Sequence, residues 1–160
     1  PGLAFGTGTH QTTALCLHWL DKADIQGKTV IDYGCGSGIL GIAAALLGAE
    51  RVIAVDTDPQ ALQATQDNAR RNDVTVETYL PDACPQLQCD LLLANILAGP
   101  LMQLAPLFAE LTHDGSDIVL SGILDSQADD VSASYQPYFK MQKARQFDDW
   151  MRLSGVRHGD

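Results

Sequence analysis

The residues with the clearest chemical potential are Val30-Ile31-Asp32-Tyr33-Gly34-Cys35-Gly36-Ser37-Gly38, where a β-rich run meets three glycines at alternate positions. A strand, a glycine loop and then a helix read as the first turn of an open α/β sheet, at the carboxyl edge of the strands where ligands bind. Glycine there lets the backbone take positive φ and approach a ligand closely. The dinucleotide fingerprint is G-x-G-x-x-G, but here the pattern is G-x-G-x-G, and Ile39 stands where that fingerprint needs its third glycine. Asp32, two residues ahead of Gly34, brings a carboxylate to the loop. A pyrophosphate at a helix N-terminus wants bare N–H donors. Asp32 therefore fits a cationic ligand group better, such as the α-amino end of S-adenosylmethionine. A purely structural strand–helix turn is the alternative.

Further polar residues fall at the ends of the following strands. Asp56 lies 22 residues beyond Gly34, close to the spacing at which an acid reaches ribose hydroxyls. Asp58 is followed by Pro59 and reads as a helix cap. Asp82-Ala83 follows the third strand and could meet an adenine amino group and ring, or be a plain loop acid. Asn95-Ile96-Leu97-Ala98-Gly99-Pro100 closes the fourth strand. Enzymes that methylate base amines carry an Asn/Asp-Pro-Pro-aromatic signature here, the ring supporting a flat base. Ile96 and Leu97 offer no such ring, so an aliphatic amine is the better fit. Asn95 could accept a hydrogen bond from that amine and aim its lone pair, but it cannot be a base; capping of the next helix is its other reading. Of the four histidines, His10 in the opening loop is the one credible general base, and loop polarity explains it equally well. Cys35 reads as a small packed residue.

These groups need a scaffold, and the hydrophobic periodicity supplies one. A helix runs from an N-cap at Thr9 to Asp21, and strands are expected at Thr29–Tyr33, Arg51–Val55, Val74–Tyr79, Asp90–Ala94 and Ile118–Ser121. Helices at Gly38–Leu47, Gln60–Arg71, Leu101–Leu111 and Asp125–Tyr135 separate or follow them. Asp148-Asp149 could turn the tail into a final antiparallel pair. Strand–helix alternation of this kind predicts a doubly wound, mostly parallel α/β sheet with helices on both faces.

The chain has 160 residues, 46% hydrophobic and 19% charged, a composition for one globular domain. Its formal net charge of −10 argues against a free-standing grip on nucleic-acid phosphates or anionic lipid and suits a basic partner. No apolar run approaches the ~18 residues of a membrane span, and no signal segment opens the chain. Cys16, Cys35, Cys84 and Cys89 form no CxxC pair or metal spacing, so reduced thiols in the cytoplasm are expected. The opening Pro1-Gly2-Leu3-Ala4-Phe5-Gly6-Thr7-Gly8-Thr9-His10 reads as a shaped, mobile lid, and its abrupt start suggests a piece of a longer protein.

The glycine loop with Asp32 and Asp56 resembles the class I S-adenosylmethionine-dependent methyltransferases. The opening stretch with Thr12-Thr13, the Asn95–Pro100 stretch, Ser121-Gly122-Ile123-Leu124 and the late Trp150 narrow the likeness to the bacterial methyltransferases of ribosomal protein L11, over essentially the whole chain. This resemblance implies a Rossmann-like, seven-stranded sheet whose last strand is antiparallel. It also implies methyl transfer from S-adenosylmethionine to lysine ε-amino groups and an N-terminal α-amino group of that ribosomal protein. By the same likeness Thr13, Gly34, Asp56 and Asn95 are cofactor contacts and Phe5 and Thr7 close over the cofactor; the loop and strand ends themselves add Gly36, Asp32 and Asp82 as expected cofactor contacts. Members carry a separate N-terminal domain that recognises the ribosomal protein; the resemblance implies that it is missing from this sequence, leaving the catalytic domain.

Overall fold

The computed structural model describes residues 10–159. Thr9, Phe5, Thr7 and the rest of the opening stretch lie outside the described residues, so the expected cap and lid do too. His10 is the first residue of helix α1 (His10–Lys22) and not a loop residue. The chain continues as β1 (Thr29–Tyr33), α2 (Ile39–Leu46), β2 (Arg51–Val55), α3 (Pro59–Arg71), β3 (Glu77–Tyr79), β4 (Cys89–Asn95), α4 (Ala98–Glu110) and β5 (Thr112–Leu124). It ends with α5 (Ala128–Tyr135), β6 (Phe139–Met141), β7 (Arg145–Phe147) and β8 (Trp150–Arg157).

Seven strands form one continuous path in the order β3-β2-β1-β4-β5-β8-β6. Strands β1 to β5 are mutually parallel, and β8 runs antiparallel between β5 and β6. The eighth strand, β7, lies off this path and pairs with β8 in a tight hairpin, Phe147 opposite Trp150 across Asp148-Asp149. The order reverses between β1 and β4, which opens a crevice at the carboxyl ends of these strands.

Side chains alternate along each buried strand, so the sheet has two apolar faces. Val30, Val52, Ala54, Leu91, Leu93 and Val119 face α1, α2 and α3 in one core, with Cys16, Leu20, Leu40 and Ile42. Ile31, Tyr33, Ile53, Val55, Leu92, Ala94 and Leu120 face the other core with α4 and α5. There Tyr33 meets Phe108 edge-on at 5.0 Å, and Tyr135 donates its buried hydroxyl to the Leu101 carbonyl at 2.6 Å.

α4 begins at Ala98, a turn ahead of its Leu101–Leu111 pattern, and three further elements differ from their sequence patterns. β3 begins at Glu77, because Asp73 takes φ 55 and the Val74 N–H closes the end of α3 on the Ala69 carbonyl at 3.0 Å. β5 is much longer than Ile118–Ser121, since Thr112 already pairs with Cys89 before a register shift. The helix expected from Asp125 begins instead with a 3-10 turn, Asp125–Gln127, where Gln127 Oε1 accepts from the Leu124 N–H at 2.9 Å.

Candidate functional site

Between β1 and α2 the glycine loop turns sharply, with Gly34 at φ 78 and Gly36 at φ 54. A Cβ on Gly34 would lie 2.4 Å from Ile96 Cγ2, so only glycine lets the β1 and β4 loops touch. A Cβ on Gly36 would meet nothing within 4 Å among the described residues, so the backbone there is left open by them. The loop is anchored by Gly34 and Cys35, whose N–H groups donate to the Val55 carbonyl at 2.7 and 3.0 Å. From α3, Thr65 donates to the Gly36 carbonyl and Asn68 to the Ser37 carbonyl, at 3.0 and 2.9 Å.

Two carboxylates flank this loop. Asp56, at the end of β2, accepts from the Gly36 N–H through Oδ2 and from the Asp58 N–H through Oδ1, each at 3.0 Å. Each oxygen keeps a second lone pair, so the half-buried carboxylate can still accept from ligand hydroxyls. Asp58 accepts from the Gln60 N–H at 2.9 Å and caps α3, as its Asp-Pro context predicts.

Asp32 is only 2% exposed, and its Oδ2 accepts from the Gly41 N–H at 3.0 Å. It is therefore turned toward the first turn of α2 and not simply out into the loop. Burial pushes its carboxyl up to about 7, with the Asp56 charge adding to the rise and the Gly41 N–H opposing it. Among the described residues Asp32 has no ion-pair partner. A buried carboxylate without a cation favours a cationic group brought by a ligand.

Asp82 sits exposed in the turn Pro81–Ala83 that follows β3. With Thr57, Leu80, Pro81 and Ala83 it lines an open cleft of about 560 Å³. Of the residues that line it, Thr57 is the one that directly follows Asp56 in the chain.

Asn95 ends β4 on the α1 side of the sheet. Its Nδ2 reaches Thr13 Oγ1 at 3.5 Å, a long contact that leaves most of the amide's capacity free. The N-cap of α4 is Leu97, without a side-chain hydrogen bond, so Asn95 does not cap that helix. Beside it, the buried Ser121 hydroxyl donates to the Thr12 carbonyl at 3.0 Å, clipping the start of α1 to β5. A Cβ on Gly122 would fall 2.5 Å from the Ile96 carbonyl oxygen and 3.1 Å from Asn95 Oδ1. Gly34 and Gly122 thus both approach the Asn95-Ile96 segment closely.

Sequence reasoning passed over Thr65, Asn68, Ser121 and Gly122 as site-forming groups. For Thr65 and Asn68 a signal existed: two polar residues three apart on the inner face of a helix. His18, His113 and His158 lie away from this edge, on α1, at the start of β5 and near the C-terminus. Cys35 is buried within the loop, as a packed residue.

The open sheet with one reversed strand, a glycine-rich first turn and an acid ending β2 define a class I methyltransferase fold. Superposition agrees: a T. thermophilus 16S rRNA methyltransferase in complex with AdoMet and guanosine aligns with TM-score 0.78 at 18% identity, over 99% of this chain and 46% of that one. That likeness is one of fold alone. The family described as ribosomal protein L11 methyltransferase (PrmA) matches residues 1–158, and the chain belongs to it. A ribosomal protein L11 methyltransferase of Marinobacter nauticus is 61% identical over 160 residues, covering 98% of this chain and 54% of that protein. A ribosomal protein L11 methylase from Lactobacillus delbrueckii subsp. bulgaricus superposes with TM-score 0.86 at 31% identity, over 94% of this chain and 81% of that one. The chain spans about half the length of the curated relatives it matches.

Proposed function

We propose that this chain is the catalytic part of a longer cytoplasmic enzyme that methylates ribosomal protein L11. The methyl groups come from S-adenosylmethionine and go to lysine ε-amino groups and the N-terminal α-amino group. A separate N-terminal domain presents the substrate. What carries this is the convergence of Asp32, Gly36, Asp56 and Asn95 on one sheet edge in a member of this family. The residues present fit the cofactor: among the described residues Gly36 is left open and Asp32 is a buried acid without a cation, and an open cleft lies beside Thr57 and Asp82.

In this proposal Gly34 and Gly36 lie against the cofactor, Asp32 receives its ammonium group and Asp56 its ribose hydroxyls. Asp82-Ala83 borders the adenine, Thr13 supports Asn95, and Phe5 and Thr7 close over the site. S-adenosylmethionine supplies a methyl group made electrophilic by its sulfonium. The task left to the protein is alignment of an amine for in-line displacement. Asn95 Oδ1 accepts a hydrogen bond from the incoming amine and aims the nitrogen lone pair. A free lysine has a pKa near ~10.4, so the amine must arrive deprotonated, and its proton leaves to water because Asn95 cannot take it.

Calorimetric titration with S-adenosylmethionine, with NAD in parallel, tests the cofactor. Binding of the first alone is expected; binding of NAD alone overturns the proposal. In the complete enzyme, Asn95→Ala is expected to lower L11 methylation by roughly 10²-fold while weakening cofactor binding far less. Full turnover in that variant would remove Asn95 from catalysis.

A further inference from the structure

Away from the crevice, a pocket of about 270 Å³ opens between the second half of α1 and the β6–β7–β8 end of the sheet. The whole chain has only 10 Lys and Arg against 20 Asp and Glu. Yet three of those cations, Lys22, Arg145 and Arg152, line this single pocket. None of the three forms an ion pair among the described residues, where the only pairs are Arg51–Glu77, Arg70–Asp67 and His113–Asp90.

Most of the pocket's polar side chains can donate, with Asp117 the exception. Gln142 Oε1 accepts from the Ser154 hydroxyl at 3.0 Å, which leaves its Nε2 hydrogens free to donate. Arg152 gives Nη1 to the Leu15 carbonyl at 2.9 Å, and its buried Nε has no partner among the described residues. An unpartnered donor on a buried cation is costly; burial, and after it the like charge of the nearby Arg145, lowers the Arg152 pKa. Lys22, Arg145 and Arg152 all act on the neighbouring His18, pushing its pKa down after desolvation, with Asp21 opposing. Asp117 is the one carboxylate lining the pocket, and the cation that acts on it is Lys28, which lies outside the lining.

We propose that this pocket binds a single phosphoryl group, as inorganic phosphate or a small phosphate monoester, through Lys22, Arg145, Arg152 and the Gln142 amide. Two guanidinium groups and an ammonium bring three positive charges to one pocket, which favours a dianion over a monoanion, and guanidinium forks bond phosphate oxygens in pairs. The volume lies just under the ~300–1,000 Å³ typical of sites for larger ligands, so it holds one such group and not a strand of nucleic acid. The net charge of −10 makes the local reversal of sign more selective, since the surrounding field repels polyanions.

Lys22 and Arg145 are exposed, so the double variant Lys22→Gln/Arg145→Gln leaves the core intact, which far-UV circular dichroism checks. Calorimetry and phosphorus-31 NMR line widths, at ionic strength held constant with chloride, are then followed against inorganic phosphate, glycerol phosphate and acetate. Saturable phosphate binding is expected in the wild type, weakened at least about tenfold in the double variant. Tighter binding of glycerol phosphate identifies the monoester as the source; equal or tighter binding of inorganic phosphate identifies the free ion. No saturable binding of either phosphate, binding unaffected by the double substitution, or an equal response to acetate overturns the proposal.

Discussion

Asp32 combines a carboxylate with a place that water barely reaches, and the two make opposite demands. Its folded pKa of about 7 stands above the ~3.9 of an unfolded aspartate. Between those values the folded protein keeps a proton that the unfolded chain has released. Its contribution to stability therefore falls as pH rises from about 4 to about 7, and the ionised form is a standing cost above that. Asp32→Asn keeps an acceptor for the Gly41 N–H and removes the cost. We expect the variant to be more stable than wild type at pH 8 by on the order of 2–4 kcal/mol, with the gap closing near pH 4, in urea unfolding. The same variant should lose affinity for S-adenosylmethionine, whose ammonium would compensate the ionised Asp32. A variant less stable than wild type at pH 8 would show that the acid is not strained in the fold. The position of this residue was legible in the sequence, two before the glycine loop. Its second role, holding the first turn of α2, was not, because the Gly41 contact depends on how the helix leaves the loop.

Among the elements, β1, β2 and α3 match their patterns closely, because each is bounded by a local signal: Gly34 after β1, Asp58-Pro59 before α3. β3 and β5 do not. The true start of β3 was hidden because Val74 spends its N–H on the helix behind it. The extent of β5 was hidden because both its long edges are set by neighbours, β4 on one side and β8 on the other. Within β5, Gly122 has φ 88 and its register with β8 shifts between Leu120 and Ile123. That shift brings β5 backbone against the Asn95-Ile96 segment. Gly122→Ala places a methyl group 2.5 Å from the Ile96 carbonyl oxygen. We expect a loss of about 1–3 kcal/mol in urea unfolding, together with reduced turnover as Asn95 is displaced. Unchanged stability and turnover would mean that the β5 bend does not position Asn95.

At the scale of the whole molecule, two apolar cores share one sheet, and the cysteines report on both. Cys16 and Cys35 lie in the core under α1 and α2, and Cys89 lies in the core under α4 and α5. Burial pushes all three thiols up to about 12, whereas Cys84 is only partly buried. A thiol reagent at pH 8 should therefore label Cys84 first. The other three should follow together, roughly 10³-fold or more slower, at the rate of global opening. Faster labelling of Cys16 and Cys35 than of Cys89 would show that the two faces open separately. Hydrophobic periodicity, the alternate glycines and the Asp-Pro cap sufficed to establish the class of fold and to place the glycine loop and the carboxylates at the strand ends. Each of these depends on residues within a few positions of one another, where φ restrictions and strand or helix period act directly. The meeting of Asn95 with Thr13, of Ser121 with Thr12 and of Gly122 with Ile96, and the gathering of Lys22 with Arg145 and Arg152 around one pocket, were decided only in three dimensions. Those partners are far apart in the chain, and their coming together depends on the order, register and crossing of strands, which no local pattern encodes.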